Sequence, residues 1–453
     1  MKRSKVKTKK IATPTGGLSP GKPRPGTHAV TPQEHQESSQ HLGHRRKAIA
    51  KRLIGAAAIL SVAMLVWVGG PLYFTNHFAQ NAVIQLDQES AERWLGWSTW
   101  MAPNNVDTQL MLARLARRSG DLSAMTDHLH IARSVSPDDI RIDREFALAD
   151  AQQSKLNAIE PTLNRWLLEQ DADSAEICDA YVNGLVAASR FEMAERVLDA
   201  WQNDFPKDPR PHYRRARLLQ HLDRLSDADA AYRTAIALKP DYFAALFSLG
   251  KILNEQKKSK EAFDIYEKCT QMPNPLAAKV ALAQSLVAMG KTDDAEQILR
   301  GVVQSAPQQI ADSYRSVDEV PELFIAASEL GNLLANSGKF EEAVFMLKSS
   351  IAFNPRDTSA RYALAIALRG LGKLDESERE LELVQTARKE LEKVNQLRNK
   401  ISREPENSEA RIELGELLYK YESQRNGLFW LRSVFSYDPD NQVAKAKIAE
   451  ISS

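Results

Sequence analysis

Along most of the chain after residue 105, apolar and small residues return in one order: an apolar residue followed by Gly or Ala, a Leu three later, often a Gly, then an Ala, an aromatic or Leu four later, and last a Pro. Leu249-Gly250, Leu253, Ala262 and Tyr266 form one copy. Leu282-Ala283, Leu286, Gly290, Ala295, Leu299 and Pro307 form a second, and Leu330-Gly331, Leu334, Gly338, Ala343, Leu347 and Pro355 a third. Spacings of three and four put the apolar members on one face of a helix, while Gly marks a turn and Pro a stop. Each copy predicts two short helices whose small residues let the pair approach closely, with Leu, Tyr and Phe filling the layer between neighbours. One unit cannot bury its apolar face alone, so stacking builds the core.

The pattern resembles the tetratricopeptide repeat family, whose helix–turn–helix unit is about 34 residues long. In that frame units start near residues 72, 106, 140, 175, 209, 243, 276, 324, 358 and 408. The first keeps only Ala91, Leu95 and Pro103, and the unit at 140 carries Ile159 where a small residue is expected. The resemblance implies an all-α, right-handed superhelical solenoid with a concave groove lined by the first helices. The layout is a degenerate repeat over 75–105, a first array over 106–307, an insertion at 308–323, further repeats over 324–440 and a capping helix at 441–453. An extended helix over 374–404 carries Leu381, Val384, Leu391, Val394 and Ile401 amid dense charge, and is expected to project as a long amphipathic rod. Its stripe offers a contact to a partner or to a second copy through 381–401, unless it folds back on the next repeat.

The N-terminus has another character. Residues 1–52 hold 13 Lys and Arg against Glu34 and Glu37, and lack the large apolar residues needed for a core, which predicts a disordered tail. Leu53 to Phe74 is 22 residues without a charge, a length that matches about 30 Å of bilayer hydrocarbon. Arg45, Arg46, Lys47, Lys51 and Arg52 flank its start, and the next cation is Arg93. The segment reads as one transmembrane helix with a cytoplasmic tail and the repeats on the non-cytoplasmic face, as at the periplasmic side of a bacterial inner membrane. A cleaved signal peptide is the competing reading, with an unusually long basic region. Trp94, Trp97 and Trp100 follow at a spacing of three, either at the headgroup level or, as favoured, as the seam that caps the first full repeat.

No catalytic or metal motif is complete. Gly16 to Lys22 nearly spells a phosphate loop, but Pro23 stands where Ser or Thr would hold Mg²⁺. His128 and His130 are two apart on a helix and face different ways. Cys178 and Cys269 fall at packing positions and read as core thiols. No cofactor or metal is expected, and the chain does not read as an enzyme.

In the family the resemblance invokes, the groove is lined by set positions of each first helix. Here these are Arg114, Arg117 and Arg118; Arg141 and Arg144; Asp179 and Asn183; Arg210, Tyr213, Arg217, Gln220 and His221; Phe247, Lys251, Asn254 and Glu255. The basic run suits carboxylates, and Tyr213 and Phe247 suit apolar side chains of an extended peptide. The alternative is that these cations pair with acids on adjacent helices. The resulting expectation is a membrane-anchored interaction scaffold whose groove binds a protein or peptide segment, acidic in character, in assembling an envelope complex. Alternatives are an accessory arm of an enzyme complex in cytochrome maturation, polysaccharide export or glycosyl transfer, or lipid or nucleic-acid binding through the tail; no nucleic acid is expected at the repeats.

Overall fold

The repeated small residues act where two helices nearly touch. A Cβ on Gly250 would come within 2.6 Å of the Tyr266 ring, and one on Gly331 within 2.5 Å of Leu347. Between the helices of a pair, Gly290 and Gly338 take φ of 79° and 75°, a left-handed turn that side chains disfavour. Helix starts are sealed by short polar residues: Asn105 accepts from the Thr108 amide at 2.9 Å and Asp357 from the Ala360 amide at 2.8 Å.

The computed structural model describes residues 70–453 apart from 154, 170–172, 189 and 453. The basic tail and the apolar run as far as residue 69 lie outside the described residues. Among the described residues no helix is long and apolar enough to cross a membrane. Residues Leu72–Ser453 form one unit, and the described residues are helical without strands. The pairs are α1 (Gly70–Ile84) with α2 (Gln88–Met101), α3 (Val106–Arg118) with α4 (Leu122–Val135), α5 (Ile140–Gln152) with α6 (Leu156–Leu168), α7 (Ser174–Ala187) with α8 (Phe191–Asp204), and α9 (Arg210–His221) with α10 (Leu225–Leu238). They continue as α11 (Phe243–Glu255) with α12 (Ser259–Cys269), and α13 (Leu276–Ala288) with α14 (Thr292–Val303). A single helix, α15 (Pro307–Ser316), intervenes before α16 (Ile325–Asn336) with α17 (Phe340–Phe353), α18 (Thr358–Gly370) with α19 (Leu374–Arg403), and α20 (Ser408–Tyr421) with α21 (Gln424–Ser433). The last helix is α22 (Gln442–Ser452). One apolar cluster runs unbroken from Tyr213 to Leu368, and a second joins Leu148 to Leu218.

Two expectations fail here for physical reasons. The seam of the first hairpin is Ala91, Leu95 and Ser98, all fully buried, and the Ser98 hydroxyl lies 2.7 Å from both the Thr75 hydroxyl and the Asn76 side-chain oxygen. Trp97 and Trp100 do not cap the next repeat, being 58% and 86% exposed, while Trp94 is half-buried and stacks on Phe78 within the first hairpin. A step of three residues drifts around a helix, so the Trp series leaves the seam that spacings of four and three retain. Nor does the long helix project. The first half of α19 packs on α18, while Val394, Leu397 and Ile401 are buried against Ala410, Leu414 and Leu418 of α20. Its apolar stripe is spent within the chain, which removes the expected contact with a second copy through 381–401. Cys178 and Cys269 are buried free thiols, each pushed up to about 12 by burial.

Candidate peptide-binding groove

The first helices present their cations to one another, and acids from neighbouring repeats meet them. Arg114 on α3 donates to Glu145 at 2.8 Å and to Asp173 at 3.0 Å. Arg117, fully buried, donates to Glu145 at 2.7 Å and to Glu176 at 3.2 Å. Arg118 reaches both oxygens of Glu176 and the Val83 carbonyl. On α9, Arg210 binds Glu176 and Asp208 and lies over the Trp201 ring. Arg144 pairs with Asp173 and covers Trp166. Arg141, half exposed, binds Asp139 and Asp107. The expected open basic surface on the first repeats is therefore a set of internal ion pairs, because each guanidinium lies within reach of a carboxylate from an adjacent or next-but-one repeat.

Burial by itself would raise the Glu176 carboxyl, but the charges of Arg118, Arg210 and Arg117 overcome it and hold the group well below 4.5. The same balance lowers Asp173, with Arg114 and Arg144 as the cations. These groups stay ionised at neutral pH, which suits a rigid frame better than an acid–base site. Among the described residues no group of three or more His, Cys, Asp or Glu is placed to hold a metal.

Further along, the groove changes. Tyr213 on α9 is buried and donates its hydroxyl to Asp318 at 2.9 Å. Arg214 bonds Asp179 at 2.6 Å and Asp318 at 2.5 Å. Arg217 donates to Glu319 at 2.9 Å, and Lys251 on α11 reaches the same oxygen at 3.1 Å. Asp318 and Glu319 come from the insertion. Burial opposes the charge on both, yet Arg214 and Arg217 lower Asp318, and Arg217 and Lys251 lower Glu319.

The other expected groove residues divide. Gln220 accepts from the Tyr232 hydroxyl at 3.1 Å, and Asn254 donates to Ser285 at 3.1 Å. Phe247 is buried edge-on against Tyr266, so it is a core residue and does not grip a ligand. His221 stacks on Phe429 at 5.4 Å. Asn183 is half-buried on α7, and Glu255 near the end of α11 is exposed, its carboxyl still raised by desolvation. The partners Glu145, Asp173, Glu176, Arg214, Asp318 and Glu319 were not singled out from the sequence. The 34-residue frame marks helix faces but not which distant carboxylates fold onto them.

Beside Tyr213 and Arg214 opens a cavity of about 390 Å³. Its walls are the turn between α1 and α2 (Leu86 to Glu89), Leu115 and Arg118 of α3, and Tyr242 and Phe243 at the start of α11. The chain around Met272 and the end of α15 complete it. Apolar surface from Val83, Leu86 and Tyr242 alternates there with charge from Asp87, Lys239 and Arg315, a mixture that suits a peptide carrying both kinds of side chain.

Two tetratricopeptide repeat family profiles match the chain, one over residues 253–315 and 334–401 and the other over 213–272. The chain is 23% identical over 248 residues to the peroxisomal targeting signal receptor of Komagataella phaffii, a match that covers 48% of this chain and 41% of the receptor. It thus spans about two-fifths of that relative's length. Among solved structures, pilF of Pseudomonas aeruginosa aligns with a TM-score of 0.40 at 17% identity, covering 47% of this chain and 92% of that one. A tetratricopeptide repeat protein of Parabacteroides merdae aligns with 0.36 at 16%, covering 61% and 97%. The profile matches fall on the hairpins α9 to α19, whose close helix approach at Gly250 and Gly331 is described above. Residues 213–315 and 334–401 of the chain are tetratricopeptide repeats.

Proposed function

We propose that the protein is a membrane-anchored interaction scaffold that binds a peptide or protein segment, acidic in part, in the groove between α9, α11 and the first hairpin. The repeats themselves make it a protein–protein interaction scaffold. The observation that carries the finer reading is the 390 Å³ cavity, whose wall includes the groove donors Tyr213 and Arg214, already engaged with Asp318 of an inserted segment. The similarity to a targeting signal receptor fits recognition of a segment of another protein.

The charge-free run from Leu53 to Phe74 and its basic flank support a single-pass anchor with the tail in the cytoplasm and the repeats outside it, at the periplasmic face of a bacterial inner membrane, serving an envelope complex. The exposed Trp97 and Trp100 support it further. Both flank Ser98 in sequence, and Ser98 is bonded to Thr75 and Asn76, just past the end of the apolar run at Phe74.

A photo-crosslinking residue in place of Gln271 or Gln88 at the cavity, in the full chain and in cells, tests the binding reading. Adducts of one defined mass from the cavity positions, absent when the crosslinker replaces exposed Phe345 on α17, are expected. Equal labelling from all three places would contradict it. A reporter at Ser453 active only outside the cytoplasm checks the topology independently.

A further inference from the structure

The insertion places a piece of the chain where a ligand would go. Its helix α15 is fixed by apolar contact, since Ile310, Tyr314 and Val317 are buried in the main core. The Ala277 amide also donates to the Ser313 hydroxyl at 2.8 Å. Past the helix the chain turns through Asp318, whose φ of 57° is in the left-handed region that Asp tolerates. The turn delivers two adjacent carboxylates onto α9 and α11. Tyr213 is 105 residues from Asp318 in sequence, so this contact belongs to no repeat-to-repeat step of the solenoid.

The acids here differ in origin from those elsewhere in the groove. Glu145, Asp173, Glu176 and Asp179 belong to the repeats or the loops that join them, and they pair with Arg114, Arg117, Arg118, Arg144, Arg210 and Arg214 as fixed parts of the frame. Arg217 and Lys251 instead share Glu319, from a segment outside the repeat frame. Side chains hold the tip to the groove mainly by charge, and Val320 just beyond it is half exposed. Charge pairs of this kind require an acid in the groove, because a largely buried guanidinium without one is costly.

Resting on the reading that the groove binds a peptide, we infer that Tyr213, Arg214, Arg217 and Lys251 form a subsite for a peptide turn carrying two adjacent carboxylates. The chain's own Asp318-Glu319 fills this subsite in the resting molecule, and a partner's acidic segment binds by displacing it. A tethered segment competes at an effective concentration on the order of millimolar. The partner therefore needs contacts beyond the acid pair, and the adjoining cavity at Leu86 and Tyr242 supplies them.

The test uses the full chain in detergent micelles and a fluorescein-labelled peptide of residues 315–323, with binding read by anisotropy. The proteins are the native chain, Asp318→Asn, Glu319→Gln, the double variant, and the double variant with Arg217→Glu added, each checked for helix content by circular dichroism. If the tip fills the subsite more than nine-tenths of the time, the double variant binds at least about tenfold tighter than the native chain, because apparent affinity scales with the open fraction. The single variants, which keep one carboxylate and guard against loss of folding in the double, fall between, and adding Arg217→Glu abolishes binding. Equal affinity for the native chain and all the isosteric variants would overturn the occupancy. Absence of binding to any of them, with the cavity crosslinks still formed, would overturn the subsite and leave the broader groove reading standing. Loss of those crosslinks, with the peptide still bound in the predicted order, would sink the broader reading and leave the subsite intact.

Discussion

The Glu176 carboxylate meets the Arg117 guanidinium at 3.2 Å although 59 residues separate them, and neither side chain has more than a trace of contact with solvent. The same carboxylate accepts from Arg118 and Arg210, so one acid on α7 ties together the second, fourth and fifth hairpins. Glu176→Gln would keep the shape and leave three cations around an amide. Breaking a buried pair from one side costs about 3–5 kcal/mol, whereas removing a half-exposed cation such as Arg141 costs under about 1 kcal/mol. Urea unfolding of Glu176→Gln beside Arg141→Ala measures both, and equal midpoints would show the network to be unimportant.

Glycine substitution should change sign with packing. Gly301 on α14 has nothing within 4 Å of where a Cβ would sit, so Gly301→Ala gains about 0.5–1 kcal/mol from the lower entropy of the unfolded chain. Gly250→Ala makes the same change of propensity but drives a methyl to 2.6 Å from the Tyr266 ring, and overpacking of this kind costs about 1–3 kcal/mol. Thermal midpoints moving in opposite directions are the expected outcome.

Acid should loosen the groove. Asp173, Glu176, Asp318 and Glu319 sit below their ordinary values in the folded chain. Their stabilisation is complete above the unfolded values and is lost as pH falls through the folded ones. Glu322 and Glu329, raised by burial, act the other way and offset part of the loss. The lowered carboxylates are the ones bonded to buried cations, so the net change is destabilising: the thermal midpoint should hold from neutral pH to roughly 5 and decline below roughly 4. A midpoint that rises on acidification would contradict the network's role.

The exposed indoles give the membrane reading its own check. In full-length protein reconstituted with lipids brominated near the headgroup, the Trp97→Phe, Trp100→Phe pair should remove the shallow component of tryptophan quenching, since interfacial indoles lie at that depth. Quenching unchanged by the pair would place the first hairpin away from the bilayer surface.

The repeat was legible because Gly250, Ala262, Gly331 and Ala343 are demanded by contact between helices, and such positions recur with the period of the contact. Even the degenerate first unit folds as a hairpin, since Ala91, Leu95 and Ser98 pack against Ala79 and Thr75 in its seam. The groove was legible only as a list of cations. Arg117 and Glu145 stand 28 residues apart, and Tyr213 and Asp318 105 apart. Pairing at such distances depends on how the solenoid coils and where the insertion turns, which no local pattern encodes. The stripe on α19 misled for a related reason: Val394 and Ile401 have the same spacing whether a second molecule covers them or α20 does.

The central claim, that this groove recognises an acidic segment of a partner, is tested most directly by reversing its charge while watching the partner. With the photo-crosslinker at Gln271, the full chain carrying Arg217→Glu and Lys251→Glu should retain its helix content and lose the defined adduct seen with the native groove. The same adduct at undiminished yield would contradict the account.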